Sequence, residues 1–154
     1  MERQHRNTRR GTFEISTDPA RIDRDIVYAF LSTCYWSPGI ARERVSRGIE
    51  NSLCFGIYDM SGPTPAQVGF ARIITDFASY AYLCDVFVLE SHRGKGLSKW
   101  LMEVMLAHPD LQGLRRFCLG TRDAHGLYAQ FGFVPTFNPA RDMEKIDRES
   151  YKNP

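Results

Sequence analysis

The sequence has no apolar run approaching the ~20 residues that a membrane-crossing helix needs, so a membrane protein is not expected. Its first residues are polar and arginine-rich and lack the apolar core of an export signal, so secretion is not expected either. Four cysteines, Cys34, Cys54, Cys84 and Cys118, are spaced so that no CxxC pair exists, which excludes zinc-ribbon and thioredoxin-type motifs. Each lies among apolar residues, where a free thiol packs as a small hydrophobe. A reducing, cytoplasmic setting without a metal is the expectation. Internal repeats and low-complexity tracts are also missing. So is a large charge imbalance, with 20 basic against 18 acidic side chains and a net charge of +2. Arg3, Arg6, Arg9 and Arg10 stand against Glu2 alone in the first ten positions, so the rest of the chain is close to neutral. A neutral body does not offer the basic face that a nucleic-acid groove requires. Residues 1–11 read as a flexible basic tail, which could at most touch RNA or an acidic partner.

What is present is an ordinary globular composition: 154 residues, 43% hydrophobic and 25% charged, enough for one core. The expected domain spans 12–147, with a short tail at 148–154. Thr12 to Ser16 alternates as a strand. Asp18-Pro19 looks like a helix start, with Ile22, Ile26, Phe30, Leu31 and Cys34 at helical spacing to about Thr33. A second helix is expected from Ala41 to about Asn51. Leu53–Asp59 and Gln67–Thr75 read as a hairpin around Ser61-Gly62-Pro63-Thr64-Pro65. Tyr80–Leu89 is a third long strand. Gly94–His108 is an amphipathic helix stopped by Pro109. Arg115–Gly120 reads as a strand, Asp123–Phe131 as a helix, Phe133–Phe137 as a strand, and Met143–Ile146 as a last short one. The implied fold is α/β: a mostly antiparallel twisted sheet of six or seven strands with about four helices on its faces.

Two segments carry chemistry. The first runs from Val86 through Ser98, where an apolar strand ends, a polar turn follows, and Gly94 and Gly96 open a helix. Helix starts present free N–H groups and a positive dipole end, and glycines let an anion approach the backbone. Arg93, Lys95 and Lys99 add positive charge, which together suits a pyrophosphate. It is neither a Walker A loop nor a GxGxxG fingerprint, because Lys99 occupies the third glycine position. The second segment is Leu127-Tyr128-Ala129-Gln130-Phe131-Gly132-Phe133. Ala124, Leu127 and Phe131 share a helix face and Gly132 fits a C-terminal cap. Tyr128 lies off that face, either free for a cleft or packed in the core. Asp123 looks like the cap of this helix.

From Leu53 to Phe133 the chain resembles the GNAT-type N-acetyltransferases, whose signature is a strand ending in R/Q-x-x-G-x-G/A at a helix start, followed by a tyrosine helix ending in GF. Read as Ser91-His92-Arg93-Gly94-Lys95-Gly96, the turn departs from that pattern at Ser91, and Arg93 supplies charge instead. The resemblance implies acetyl-CoA in a gap between the Tyr80–Leu89 and Arg115–Gly120 strands. It places the pantetheine against the backbone of Phe87, Val88 and Leu89, and the pyrophosphate on Arg93, Gly94, Lys95, Gly96, Leu97 and Ser98, with Lys99 nearby. It implies direct transfer to a primary amine of a small or amino-acid-like acceptor, with an N–H near Phe87 steadying the oxyanion and Tyr128 as general acid. Asp85, alone among apolar strand residues, is the first choice of base; it could equally be a structural carboxylate, with Asp76 and a water chain as alternatives. His92 and His125 read as edge groups. By the same resemblance the loop that carries Tyr35 and Trp36 borders the acceptor pocket, and Phe70, Arg72, Tyr80 and Tyr82 could line it. Pairing into homodimers is common in this family. A non-catalytic acyl-CoA sensor on the same scaffold is the alternative function.

Overall fold

The computed structural model describes residues 3–152, so the outermost residues of both expected tails lie outside the described part. A six-stranded sheet runs in chain order: β1 (Asn7–Arg10), β2 (Phe13–Ser16), β3 (Leu53–Asp59), β4 (Ala66–Thr75), β5 (Tyr80–Val88) and β6 (Arg116–Leu119). All neighbours pair antiparallel except β5 and β6, which run parallel. The helices are α1 (Arg24–Leu31), α2 (Arg42–Glu50), α3 (Leu97–Leu106) and α4 (His125–Ala129).

The basic segment expected to be a flexible tail is instead ordered from Asn7 as β1. Gly11, at φ 57°, supplies the left-handed residue of a two-residue hairpin turn. Across the pair, Arg9 Nε donates to Glu14 Oε2 at 2.6 Å, and Thr17 N donates to Arg6 O at 3.0 Å. The first expected helix is shorter than its apolar spacing suggested. Asp18 caps only a single 3-10 turn, Pro19–Arg21, and Ile22 and Asp23 are extended. Asp23 is the true cap of α1, its carboxylate accepting from Asp25 N and Ile26 N.

The strands alternate between two cores. On one face α1 and α2 bury Val27, Leu31, Val45 and Ile49 against Cys54, Phe70 and Phe87. On the other, α3 sets Leu97, Trp100, Leu101 and Met105 against Ile15, Phe55, Ile57, Ile73 and Leu83. Full burial of a large apolar side chain contributes about 1.5–3 kcal/mol. The buried row on α3 therefore fixes the position and direction of that helix firmly, and with it the helix start. Leu101, fully buried, would cost about 2–5 kcal/mol as Ala.

Two features of β5 prepare a site. Its pairing with β6 runs from Tyr80↔Arg116 to Leu83↔Leu119 and then ends. Its pairing with β4 slips between Phe70↔Phe87 and Arg72↔Cys84, which puts one extra residue into β5. Asp85 lies in that bulge with φ 55°. A bulge bends and twists its strand, and here β5 turns away from β6 at the same point.

The two last expected strands are not formed. Phe133–Phe137 contains Pro135, which has no N–H to give a ladder, and its Val134 and Phe137 are exposed. Met143–Ile146 finds no neighbouring strand and is irregular, with Met143 and Ile146 exposed. Among the described residues the sheet has six strands. No helix of the described residues is long and apolar enough to cross a membrane.

Candidate active site

Where β5 and β6 part, a cleft of about 690 Å³ opens, walled by Tyr82 through Val88 of β5 on one side and Leu119 through Ala124 with Leu127 and Tyr128 on the other. Arg93 and Ser98 close its end at the start of α3, while Phe30, Tyr35 and Trp36 cover it from the α1–α2 side. The expected gap between these two strands is therefore present.

At the helix start, Gly94 has φ 77° and Gly96, the N-cap of α3, φ 73°. A Cβ at either would meet no atom within 4 Å, so the space above the turn is open and the glycines answer a backbone need. The first helical N–H groups, from Leu97, Ser98 and Lys99, have no partner within the helix. This geometry also shifts the register of the motif. The glycine at the helix cap is Gly96, so the R/Q-x-x-G-x-G/A pattern runs from Arg93 to Ser98. The departure is then Ser98 at the last position. Ser91 belongs to a preceding 3-10 turn, with its Oγ 2.8 Å from His92 Nδ1, and His92 Nε2 is 3.0 Å from Asp59 Oδ2. That chain pins the turn to the end of β3. The Leu97 side chain is buried in the core, so only its backbone faces the turn, whereas Gly94, Lys95, Gly96 and Lys99 form an exposed lip.

Of the three residues expected to meet the pantetheine, Phe87 and Val88 wall the cleft and Leu89 does not. Leu89 N donates to Val68 O at 2.8 Å, and Val88 O accepts from Arg93 Nε at 3.0 Å. These two groups already have partners in the protein. Phe87 is held between Phe30, stacked at 4.0 Å, and Phe70 at 5.9 Å. Phe70 is therefore core behind the cleft rather than lining.

Tyr128 is 8% exposed and belongs to the core cluster, yet it also walls the cleft. Its hydroxyl makes no hydrogen bond among the described residues. Burial, then the neighbouring Tyr35 and Asp123, push its pKa above the ordinary phenol value. The GF pair after it sets its position. Gly132 takes φ 87°, Phe133 N returns to Tyr128 O at 3.3 Å, and the Phe133 ring meets Tyr128 edge-on at 6.1 Å. Asp123 is not the cap of α4. Thr121 Oγ1 accepts from Ala124 N at 3.0 Å instead.

Asp85 is bonded by side chains rather than by backbone amides. Arg72 Nε donates to Oδ2 at 2.8 Å and Trp36 Nε1 donates to Oδ1 at 3.1 Å. Arg72 Nη1 also reaches Ser52 Oγ at 3.1 Å. Burial lowers the Arg72 pKa, but the charge and hydrogen bond of Asp85, together with the nearby Cys84 and Cys54, outweigh it and leave the guanidinium above its usual value. Trp36 thereby anchors the loop after α1, and Tyr35 beside it stacks under Arg122 at 3.7 Å. Asp76 lies elsewhere, capping the β4–β5 turn through Ala78, Ser79 and Tyr80 N–H groups.

The sequence reading missed Phe30 and Arg122 at this site. Phe30 carried only a core signal, and Arg122 lies in a loop without pattern. Tyr82 joins the cleft; Tyr80 does not.

The fold and the cleft define an acyl-transfer scaffold, and comparison with known proteins gives it a family. The Acetyltransferase (GNAT) domain model matches residues 51–135. A candidate acetyltransferase of Gibberella zeae is 33% identical, over 80% of each chain. A candidate GNAT-family acetyltransferase of Xanthomonas campestris pv. campestris, known as a crystal structure, is 48% identical at a TM-score of 0.84, covering 90% of this chain and 96% of that one. A Clostridium acetobutylicum acetyltransferase structure described with acetyl-CoA shares the fold, at 13% identity, TM-score 0.59, and 94% and 95% coverage. This chain belongs to the GNAT acetyltransferase family. Among the described residues no cluster of three or more His, Cys, Asp or Glu is placed to hold a metal ion.

Proposed function

We propose that this protein transfers an acetyl group from acetyl-CoA to the primary amine of a small or amino-acid-like acceptor, by direct attack while both are bound. The observation that carries this reading is that Tyr128 and the two ends of the helix-opening turn, Arg93 and Ser98, are walls of one cleft. The residues fit the cosubstrate. The free N–H groups after Gly96 and the Arg93 charge suit a pyrophosphate, the open space over both glycines leaves room for it, and the β5 edge released from β6 has backbone groups for amides.

In the transfer the amine nitrogen bonds to the thioester carbon, the carbon–sulfur bond breaks, and CoA departs as thiolate. Tyr128, on the wall of the cleft, would face that sulfur. A reference phenol near pKa 10 is a weaker acid than a thiol near 8.5, so full proton transfer is uphill by about 2 kcal/mol, and burial adds to this. Tyr128 therefore acts first as a neutral hydrogen-bond donor to the developing thiolate. Both oxygens of the Asp85 carboxylate already accept hydrogen bonds, from Arg72 Nε and from Trp36 Nε1. Asp85, held by Arg72 and Trp36, accordingly takes the positioning role, fixing the acceptor-side loop through Trp36. The proton of the attacking amine then leaves to water. Tyr35 and Trp36, 47% and 37% exposed, supply an aromatic border for the acceptor.

The test is thiol release from acetyl-CoA across a panel of primary amines, comparing wild type with Tyr128→Phe. Turnover on at least one amine, strongly reduced in the variant at unchanged CoA affinity, supports the reading. Tight CoA binding with no turnover on any amine, the same in both proteins, supports a non-catalytic sensor instead.

A further inference from the structure

Four charged side chains wall the cleft: Asp85, Arg93, Arg122 and Asp123. Arg93 stands at the α3 end, where its Nε donates to Val88 O. The other three gather around Tyr35, Trp36 and Tyr128, and each has a partner. The two Asp85 oxygens accept from Arg72 Nε at 2.8 Å and from Trp36 Nε1 at 3.1 Å. Asp123 Oδ2 is 3.9 Å from Arg122 Nη2. The Arg122 guanidinium also lies 3.7 Å from the centre of the Tyr35 ring, and Trp36 meets that ring edge-on, so Tyr35 already holds a cation. Arg72 and Arg122 thus match Asp85 and Asp123, and among the described residues of the wall no carboxylate is left over for an ammonium. Taking an ammonium out of water without a counter-ion is costly.

The same wall offers little that takes a proton at neutral pH. It contains neither histidine nor lysine among the described residues. Burial pushes the Cys84 thiol up to about 12. Burial, then Cys84 and Asp85, raise the Tyr82 phenol, and burial raises that of Tyr128. These three groups keep their protons at pH ~7. What this end does offer is aromatic surface, from Phe30, Tyr35, Trp36 and Tyr82.

We propose that the acceptor is a weakly basic aromatic amine, uncharged in solution near neutral pH, whose ring packs on Tyr35 and Trp36. The inference narrows the acceptor within the acetyl-transfer reading and rests on it. An arylamine shares its lone pair with the ring and arrives neutral. It needs no carboxylate to hold a charge and no base to free the lone pair. An alkylamine, near the lysine reference of about 10.4, is neutral in only about one part in 10³ at pH ~7. In the transfer the nitrogen–carbon bond forms, the carbon–sulfur bond breaks, and CoA leaves as thiolate. The nitrogen turns acidic once it is bonded to the carbonyl carbon, and its proton passes to water. Arg122 is a specificity-determining residue: it repels a cationic acceptor and occupies Asp123 and Tyr35, the groups suited to holding one.

The test compares 4-methylaniline with benzylamine, isomers that differ in whether the nitrogen is attached to the ring. Thiol release from acetyl-CoA is followed from pH ~6 to ~9 with each. Both meet the same protein groups, so the ratio of their kcat/KM values cancels titrations of the enzyme. At pH ~7 the ratio should favour 4-methylaniline at least tenfold, and it should fall about tenfold per pH unit as benzylamine loses its proton. Calorimetry on the CoA-loaded full chain at pH ~7 should find benzylamine at least tenfold (~) weaker in binding than 4-methylaniline. Arg122→Gln should shift the kcat/KM ratio toward benzylamine by about threefold, the scale of one exposed charge contact, and Arg122→Lys should restore it. A ratio that favours benzylamine at neutral pH, a ratio that is level with pH, turnover confined to amines that are charged at neutral pH, or a wild-type ratio in Arg122→Gln would each overturn the proposal while acetyl transfer stands. Intact CoA binding with no turnover on any amine would remove the acetyl-transfer reading, and this inference with it.

Discussion

Arg72 Nε stands 2.8 Å from Asp85 Oδ2 where β5 carries its extra residue and leaves β6, so one ion pair marks the origin of the cleft. The side chains keep 20% and 13% of their exposure, and Asp85 holds an unfavourable positive φ. The pair, together with the Trp36 bond, offsets that local strain.

Asp85→Asn should therefore destabilise the protein by about 2 kcal/mol, less than the ~3–5 kcal/mol of a fully buried pair because both groups still touch water. Chemical denaturation checks this. In activity, kcat/KM should fall by a similar factor at every pH, as a positioning role requires. Loss of the plateau together with the acidic limb of the pH–rate profile, leaving a low rate without that pH dependence, would identify Asp85 as the base instead.

Tyr128→Phe removes the unpaired hydroxyl and retains the ring that packs on Phe133. The fold should tolerate this, with Tm nearly unchanged. The value of kcat should drop by about 10²–10³, the range for removing one hydrogen-bond donor aimed at developing charge, while CoA affinity stays within about twofold of wild type. Thiol-release kinetics and calorimetric titration separate the two effects.

Gly96→Val places a β-branched residue at φ 73°, where the surrounding space is open but the backbone is unfavourable. The expected cost is about 1–2 kcal/mol of stability if the conformation is kept. Relaxation of the turn would misdirect the N–H groups of Leu97 and Ser98. CoA affinity should fall at least tenfold (~) while circular dichroism remains that of the folded protein.

Glu14 is buried at 5% exposure between Arg9 and Arg21. The Arg9 hydrogen bond, opposed by burial and helped by Arg21, holds its carboxyl pKa below the usual value. A depressed folded-state pKa gives stability that is present above the unfolded value, near 4.3, and is lost as the pH falls through the lower folded one. Glu14→Gln should cost about 1–2 kcal/mol at pH ~7, since both arginines are reachable by water. The difference from wild type should vanish in acid. Thermal unfolding of both proteins across the acid range measures it.

What could be read locally from the chain was read well. The limits of β3 coincide with the short apolar run Leu53–Asp59, and the start of α3 follows from two glycines between an apolar strand and an amphipathic helix. The Tyr128 helix with its glycine cap is likewise written in a few adjacent residues. These features depend on backbone preferences and on periodicity, which act over less than a dozen positions (~).

The pairing of β1 was hidden, because four arginines in a row of polar residues look like a solvated tail until Glu14 and the edge of β2 are beside them. The loss of the last two strands was hidden too, since Phe133–Phe137 has the right composition but Pro135 leaves the edge of β6 without a partner.

The sequence by itself determined the glycine turn that opens α3, the short helix carrying Tyr128 and the family, because each rests on residues close together in the chain. Only the tertiary structure decided that Asp85 belongs to Arg72 and Trp36 and that Tyr35 lies under Arg122. Those relationships join residues far apart in sequence, and their energies come from burial and charge at distances that no local pattern encodes.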